Sequence, residues 1–495
     1  MKTQALLVAA LALAAWMPAP TAAQGEALTV VGALVADGSG GPLRRVNVRA
    51  VGGVITEVGE GRPRDGDSVI DGSGLVLAPG FIDAHNHSTE GLDTDPDAVT
   101  QVSQGITTAL VGQDGSSPFP IREYLEKRRA NPAAINVAVL AGHATIRRRV
   151  MGDDFRRPAT LAEVAQMDAL LDQEMRDGAM GLSSGLEYEV GSYASTEEVV
   201  SLARVAARHG GFYISHIRDE ADRSLEAIRE AIAIGEKARL PVQLTHLKLG
   251  TVDVWNKAPE VVALVEAARR RGVDVTADVY PYLAWQSNIK VLVPNKQWTD
   301  PASVKEALDD IGGGRNVQIT RLPMFPQYVG RRLDEIARAE GVSEVDLYIR
   351  IVTDEGAGMI GHTMTAADMQ LFLKQPWAMV ASDGGIANNH PRGAGTFPRV
   401  LGRFVRDEKW LTLPDAVRKM TALPAARLGL KDRGAIAVGM KADLVLFDPA
   451  TVLDQSTFED PRQLARGIHT VWVNGVVVWR GDRPAGTRPG RVLVK

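Results

Sequence analysis

The sequence predicts an α/β protein: a TIM-like (β/α)8 barrel with a small β-sandwich domain formed by both termini and an insertion between strands seven and eight. Three observations predict this architecture. Apolar strand patterns alternate with amphipathic helical patterns through the middle of the chain. Short β-like segments broken by glycine occupy both ends. A length of 495 residues accommodates a barrel and a smaller attached domain.

The first 23 residues have the pattern of a secretory signal peptide. Lys2 supplies the positive region, Ala5 to Trp16 the apolar region, and Thr21-Ala22-Ala23 a small-residue cleavage site before Gln24. The apolar run is shorter than the ~20 residues that span a bilayer, and no later segment approaches that length. The pattern predicts a periplasmic or secreted enzyme with no membrane span after signal cleavage; an uncleaved anchor is the alternative.

The composition favours a soluble enzyme that acts on a small molecule. A formal net charge of −4, without an extended basic segment, argues against a nucleic-acid partner. The 45% hydrophobic and 23% charged content is typical of a globular protein. The chain has no cysteine, which excludes disulfides, thiolate ligands and a lipid-modified cysteine. The oligomeric state is left open.

Both ends of the sequence have the same β-rich texture. Residues 24–78 contain short apolar runs separated by glycine turns, and residues 431–495 repeat this pattern. Asn474-Gly475 lies between two apolar runs, which is typical of a two-residue β-hairpin. Two similar ends that enclose a different middle predict one small β domain built from both termini.

The middle, residues 79–430, alternates strands with helices. Helical patterns such as Thr160–Arg176 and Ala258–Arg271 separate most of the strand candidates. This alternation favours a closed barrel over a doubly wound sheet. Residues 294–369 contain their own helical patterns, so we interpret them as an inserted subdomain. The eight strand candidates are Leu75–His87, Ile106–Gly112, Asn136–Leu140, Ala179–Ser183, Phe212–Ser215, Val242–Thr245, Val273–Ala277 and Ala378–Ser382.

Polar residues cluster where the predicted strands end. The site of such a barrel forms at the carboxyl ends of its strands, and five of the nine histidines lie there. Imidazole and carboxylate are ligands of zinc and similar divalent ions. Four histidines and two aspartates exceed one zinc site, whereas two ions bridged by a carboxylate would use them all. The predicted ligands are His85, His87, Asp114, His216, His246 and Asp383.

The order of these residues resembles that of the amidohydrolase superfamily, and longer motifs resemble its N-acyl-D-amino-acid deacylases, the D-aminoacylases. The resemblance runs from about residue 28 to the C-terminus. It implies hydrolysis of the amide bond of N-acyl-D-amino acids to a carboxylate and a free D-amino acid, with one or two Zn²⁺ ions or another divalent metal such as Mn²⁺. The motifs are GLSSGLEY at 181–188, SHIRDE at 215–220, THLK at 245–248, DVYPY at 278–282, SDGG at 382–385 and HPRGAGTFPRVLG at 390–402.

The chain departs from the family pattern at one position. D-aminoacylases usually carry a metal-binding cysteine after strand two in a G-N-C-G context, where this sequence has Gly112-Gln113-Asp114-Gly115. Related amidohydrolases use a carboxylated lysine on strand four, but 179–188 contains no lysine. Asp114 is therefore the bridging candidate and Glu187 the second. A carboxylate is a harder ligand than a thiolate, which leaves the metal and the number of ions open.

Asp383 is the predicted catalytic residue as well as a ligand, because a carboxylate beside a metal-activated water can take its proton and pass it to the leaving amine. Lys248, Tyr282 and Arg392 are candidates to hold the α-carboxylate of the substrate. Ser287 is a further candidate for the same role, and His143 is expected to line the site.

Two other functions remain open at this level. A dipeptidase or a cyclic-amide hydrolase could use the same scaffold, since fold alone does not determine the reaction. A non-catalytic periplasmic binder is the third reading. The complete ligand set and Asp383 argue against the binder, which needs no proton shuttle.

Overall fold

The structure is a computed structural model that describes residues 27–354 and 356–495. The predicted signal peptide, residues 1–23, and the cleavage position before Gln24 lie outside the described residues. No helix in the described ranges combines the length and the apolar composition that crossing a membrane requires.

Two sheets form the small β domain. The first has four strands in the order Val54–Gly59, Asn47–Val51, Leu28–Val31 and Ser68–Asp71. Val30, Leu77 and Trp472, which come from the two sheets, share one buried apolar cluster. Asn474-Gly475 forms the predicted hairpin turn, and both residues have positive φ. The second sheet has seven strands in the order Arg483–Pro484, Val476–Arg480, Ile468–Val473, Leu444–Phe447, Val76–Pro79, Leu34–Val35 and Arg44–Arg45.

Eight parallel strands form the (β/α)8 barrel. Backbone bonds from Asp383 to the His85 carbonyl (2.9 Å) and from His87 to the Gly384 carbonyl (2.7 Å) join its last strand to its first. Ile82, Leu110 and Met379 belong to the buried apolar cluster inside it. In chain order the strands are Phe81–Asp83, Ile106–Val111, Asn136–Val139 (continued by Ala141–Gly142), Leu182–Gly185, Tyr213–His216, Val242–Leu244, Val275–Val279 and Ala378–Val380.

The predicted opening strand is two strands that lie in different sheets. Val76–Pro79 pairs with Leu444–Phe447 in the small domain, whereas Phe81–Asp83 pairs with Ile106–Val111 in the barrel. Gly80 connects them, and a Cβ there would lie 2.2 Å from the Thr107 side chain. The expectation of one continuous strand is therefore wrong, because the chain changes sheets at a glycine against which the Thr107 side chain packs too closely for any Cβ.

Helices cover the outside of the barrel. The helix Leu161–Asp177 begins with a capping box, in which Thr160 and Glu163 exchange backbone and side-chain hydrogen bonds. Arg392–Arg399 continues into a π-helix over Val400–Asp407. The other helices outside the insertion are Gly91–Thr94, Val99–Val102, Ile121–Ala130, His143–Met151, Thr196–Arg208, Ser224–Ala238, Ala258–Arg270, Ala366–Leu373, Leu413–Met420 and Ala422–Leu428.

The insertion has its own sheet and its own core. Its sheet has three antiparallel strands, with Gly358–Gly361 between Trp285–Asn288 and Val317–Arg321. The first of these strands begins before residue 294, where the sequence placed the start of the insertion. Buried apolar residues of this segment form a separate cluster. Its helices are Pro301–Asp310, Leu333–Glu340 and Glu344–Asp354.

Candidate metal centre

Two groups of potential metal ligands meet at the mouth of the barrel. The first contains His85, His87, Asp114 and Asp383, and the second contains Asp114, His216 and His246. Within each group, one ligand atom per residue lies within 4.8 Å of the others. Asp114 belongs to both groups, which is the arrangement that a carboxylate bridging two ions requires.

In the first group, both imidazoles direct Nε2 toward the same two carboxylates. His85 Nε2 lies 3.3 Å from Asp383 Oδ1 and 3.5 Å from Asp114 Oδ1. His87 Nε2 lies 3.1 Å from Asp383 Oδ1 and 3.5 Å from Asp114 Oδ2. The two histidines end one strand at i and i+2, and alternation along a strand places them on the same side.

In the second group, His216 Nδ1 lies 2.8 Å from His246 Nε2. The other ring nitrogen of His216 lies 2.8 Å from Glu187 Oε2. Glu187, the second bridging candidate, thus contacts the ring nitrogen of His216 that points away from His246. It also belongs to a third potential ligand group, with His216 and Glu220.

Three candidate ligands have a left-handed backbone conformation. The φ angles are 55° at Asp114, 32° at His246 and 48° at Asp383. Non-glycine residues adopt this region at an energetic cost, and such residues cluster at functional sites. Each of the three follows a barrel strand, so the turn that ends the strand also directs the side chain over the barrel mouth.

Asp278 orients two of the histidines. Its Oδ1 lies 3.3 Å from His85 Nδ1 and accepts a 2.7 Å hydrogen bond from the backbone N–H of His246, while Oδ2 accepts one from Gln243. A carboxylate on the outer nitrogen of a metal-binding histidine fixes its tautomer and raises its basicity. From the sequence, Asp278 was expected at the end of strand seven and received no role. In the structure this strand extends to Val279, so Asp278 lies within the strand.

The carboxylates concentrate negative charge in the site. Burial lowers the pKa of His85, but Asp383, Asp278 and Asp114 outweigh it and raise that pKa well above the ordinary value. Burial raises the pKa of Asp383, yet Arg392 and the neighbouring histidines hold it well below its usual range. Asp383 therefore stays ionised. The site is built to hold cations.

Two buried atoms support metal binding independently. His85 Nε2 and Asp114 Oδ1 are buried and have no hydrogen-bond partner among residues 27–354 and 356–495. Buried polar atoms are normally satisfied, so an unsatisfied nitrogen and oxygen that face each other are suited to share a cation. The ligand set of imidazole and carboxylate fits Zn²⁺ and also harder divalent ions.

A cavity of about 270 Å³ opens over the second ligand group, and we name it the inner cavity. Lys248, Arg392 and Ser287, three of the candidates to hold an α-carboxylate, line it. Lys248 Nζ lies 2.5 Å from Glu220 and 2.9 Å from His246 Nδ1. Arg392 contacts Asp383 at 2.6 Å. The sequence analysis gave Glu220 no role, although its position four residues after His216 could have indicated one.

The structure does not bring Tyr282 or His143 to the inner cavity. The single proton of the Tyr282 hydroxyl is shared between two acceptors, Asp454 Oδ2 at 3.1 Å and the Pro391 carbonyl at 3.3 Å, so Tyr282 holds the loop that precedes Arg392. His143 is fully buried and its Nε2 lies 2.9 Å from Glu198. Both side chains are buried. His143 begins the helix His143–Met151, and Tyr282 lies in the segment between the seventh barrel strand and the first strand of the insertion.

Arg147→Ala is expected to destabilise the fold by about 3 kcal/mol, since it leaves the buried Glu198 carboxylate without its cation. Arg147 is fully buried and contacts Glu198 and the Phe155 carbonyl. Arg148→Ala is the control, because Arg148 is half exposed and should change stability by less than about 0.5 kcal/mol. Urea unfolding measures both. Equal stabilities would contradict a structural role for this network.

Comparisons with known proteins give a consistent result. The model of the Amidohydrolase family matches residues 68–479. A D-aminoacylase of Alcaligenes xylosoxydans xylosoxydans is 38% identical over 94% of this chain and 97% of that protein. A D-aminoacylase structure superposes on this chain with a TM-score of 0.86 and 37% sequence identity, over 94% of this chain and 99% of that one. That enzyme has a binuclear metal centre, in which one metal activates and the second attenuates. An N-acyl-D-glutamate deacylase from Bordetella bronchiseptica is 34% identical to this chain, with the same coverage and TM-score as the D-aminoacylase. It was solved with zinc and a phosphonate mimic of the tetrahedral intermediate.

Proposed function

Because the chain belongs to the Amidohydrolase family, we propose that it is a metal-dependent hydrolase that cleaves the amide bond of N-acyl-D-amino acids. The observation that carries the proposal is that Asp114 belongs to two ligand groups. Both groups lie beside a cavity that Lys248 and Arg392 line. Relatives that cover almost the whole chain are D-aminoacylases, which supports the same substrate class.

We propose that the site holds two divalent ions, with zinc the first candidate and manganese the second. His85, His87 and Asp383 would hold one ion, His216 and His246 the other, and Asp114 both. A divalent ion here supplies Lewis acidity for the amide carbonyl and lowers the pKa of a bound water.

The protein side chains carry the proton. Asp383 is ionised and buried, so it accepts a proton from the attacking water and returns it to the leaving nitrogen. Arg392, at 2.6 Å, keeps the carboxylate oriented and stabilises its ionised form. A neutral leaving amine is thereby released as the free amino acid.

The inner cavity is shaped for the amino-acid half of the substrate. Lys248, Arg392 and Ser287 supply cationic and hydroxyl groups for an α-carboxylate. The side of the cavity formed by the insertion is mixed in character. Its apolar part includes Trp285, Val291, Leu292, Ala307 and Ile311, and its polar part includes Gln286, Asn288 and Asp310. The apolar part offers a surface for an apolar amino-acid side chain.

A substrate panel tests the function. N-acetyl-D-leucine, N-acetyl-L-leucine, a dipeptide, dihydroorotate and a hydantoin are offered to chelator-treated enzyme with and without added Zn²⁺ or Mn²⁺. We expect metal-dependent turnover that prefers the D-acetyl compound. Preference for the dipeptide or a cyclic amide would replace the proposal with the corresponding hydrolase. Tight binding without turnover of any compound would indicate a binder.

We also propose that the protein is exported, as residues 1–23 indicate. Export would deliver a mature chain that begins at or near Gln24. N-terminal sequencing of protein recovered from the periplasm or the medium measures this directly. A start at Met1 would contradict cleavage and favour the anchor.

A further inference from the structure

A second opening reaches the candidate metal ligands from the other side. This outer cleft has a volume of about 610 Å³ and lies between the loops that follow barrel strands one and two. Its walls include Thr89, Glu90, Asp93, Gln113, Ser116, Ser117, Pro118 and Tyr124. His87, Asp114 and Tyr188 line both the outer cleft and the inner cavity. Two of the candidate metal ligands, His87 and Asp114, therefore face two separate spaces.

An amide substrate has two halves that leave the scissile carbonyl in different directions. The carbonyl must lie at the metal ligands, so the acyl half needs a space that also contains them. Another cleft of about 710 Å³ adjoins the inner cavity through Glu187 and Tyr188, but none of the six predicted ligands lines it. The outer cleft contains His87 and Asp114, and thus satisfies the requirement.

We propose that the outer cleft is the acyl subsite and that it favours neutral or ammonium-bearing acyl groups over anionic ones. This inference rests on the proposed function and extends it from the amino acid to the acyl group. With a space of this size, the subsite accommodates acyl groups well beyond acetyl.

A buried hydroxyl supports a ligand in this cleft. Tyr124 lines the cleft, is only 9% exposed, and its hydroxyl has no hydrogen-bond partner in the described part of the chain. Burial raises the pKa of this hydroxyl above its ordinary value, so it remains a donor. A polar group on a bound acyl chain would satisfy it.

The charge of the walls gives the selectivity. The cleft is lined by Glu90, Asp93 and Asp114, and neither lysine nor arginine contributes to its lining. Asp93 pairs with Lys127 and Arg128, and Asp114 belongs to the proposed metal site. Glu90 is the exposed carboxylate of the lining that forms no ion pair within 27–354 and 356–495. A bound acyl group beside Glu90 therefore meets its negative charge, which repels a carboxylate and attracts an ammonium group.

Three D-leucine derivatives with acyl groups of equal length and different charge test the selectivity: 4-aminobutyryl, butyryl and succinyl. For the wild type we expect kcat/KM to fall in that order. Glu90→Gln should reduce the aminobutyryl-to-succinyl ratio by about twofold to fivefold, the range of a solvent-exposed charge interaction. Glu226→Gln is the control, because Glu226 lines the neighbouring cleft, which contains none of the candidate metal ligands. This variant should leave the ratio unchanged.

Acyl length tests the location. Ser116→Phe should lower the hexanoyl-to-acetyl ratio of kcat/KM by about tenfold, since the ring occupies the outer cleft. Ser192→Phe places the same ring in the neighbouring cleft and should not change that ratio. Wild-type turnover with ratios unaltered in Glu90→Gln and Ser116→Phe would overturn the subsite alone. Absence of wild-type turnover for every N-acyl-D-leucine would overturn the proposed function and the subsite with it.

Discussion

Asp383→Asn is expected to lower kcat by about 10²–10⁴-fold, the range associated with loss of a general acid–base group. An amide cannot take the proton of the attacking water, and it loses the ion pair with Arg392 at 2.6 Å. The same change removes a negative ligand oxygen that lies 3.1 Å from His87 and 3.3 Å from His85. One substitution thus removes both the proton acceptor and a candidate metal ligand, so we expect it to cost more activity than any other single substitution at the metal centre.

Steady-state rates on N-acetyl-D-leucine and metal content measured on the same samples separate the two losses. A variant that keeps its metal but loses rate has lost the proton shuttle. Asp309→Asn is the control, because Asp309 is an exposed aspartate that pairs with Lys305 on the insertion. An Asp383→Asn rate within about tenfold of wild type would exclude Asp383 as the shuttle.

Asp114→Asn is expected to weaken binding of at least one metal ion by more than about 100-fold, the upper range for loss of an outer-shell partner. The amide brings no negative charge to offset two dications. The fold should survive, because Asp114 has φ 55° and asparagine tolerates this left-handed conformation. Calorimetric metal titration and urea unfolding of the same variant test the two statements separately.

Two further variants identify the bridge. Asp114→Cys introduces the ligand that D-aminoacylases usually carry, and should recover zinc binding better than manganese binding, since thiolate is the softer ligand. Glu187→Gln should have a smaller effect on metal content, because Glu187 contacts the outer nitrogen of His216. Full metal occupancy in Asp114→Asn with loss in Glu187→Gln would move the bridge to Glu187.

The sequence was sufficient to predict the barrel and to bring together the six candidate ligands at its mouth. Strand ends are readable because an apolar run stops at a polar side chain, and His85, His216 and His246 are all marked in this way. Parallel strands bring their carboxyl ends to one edge, so residues far apart in sequence could be grouped before any coordinates.

Contacts between strands could not be predicted in the same way. The position of Asp278 inside its strand, with both oxygens occupied, depends on the register against the neighbouring strand. The direction of Tyr282 depends on Asp454 in the C-terminal segment. Sequence spacing contains no information about either partner, so Tyr282 was expected at the substrate and Asp278 received no role.

The turn at Gly80 has a consequence for the order in which the protein folds. Val76–Pro79 is followed after one residue by the first barrel strand, yet it pairs with Leu444–Phe447, near the other end of the chain. Leu34–Val35 pairs with one edge of this strand and is synthesised before it, but the other edge stays unpaired until almost the whole polypeptide has emerged. An unpaired apolar edge is a site of aggregation, so this edge is exposed to aggregation for longer than the edge of any barrel strand. Closure of the small domain is then the last event, and it anchors the strand that leads to His85 and His87.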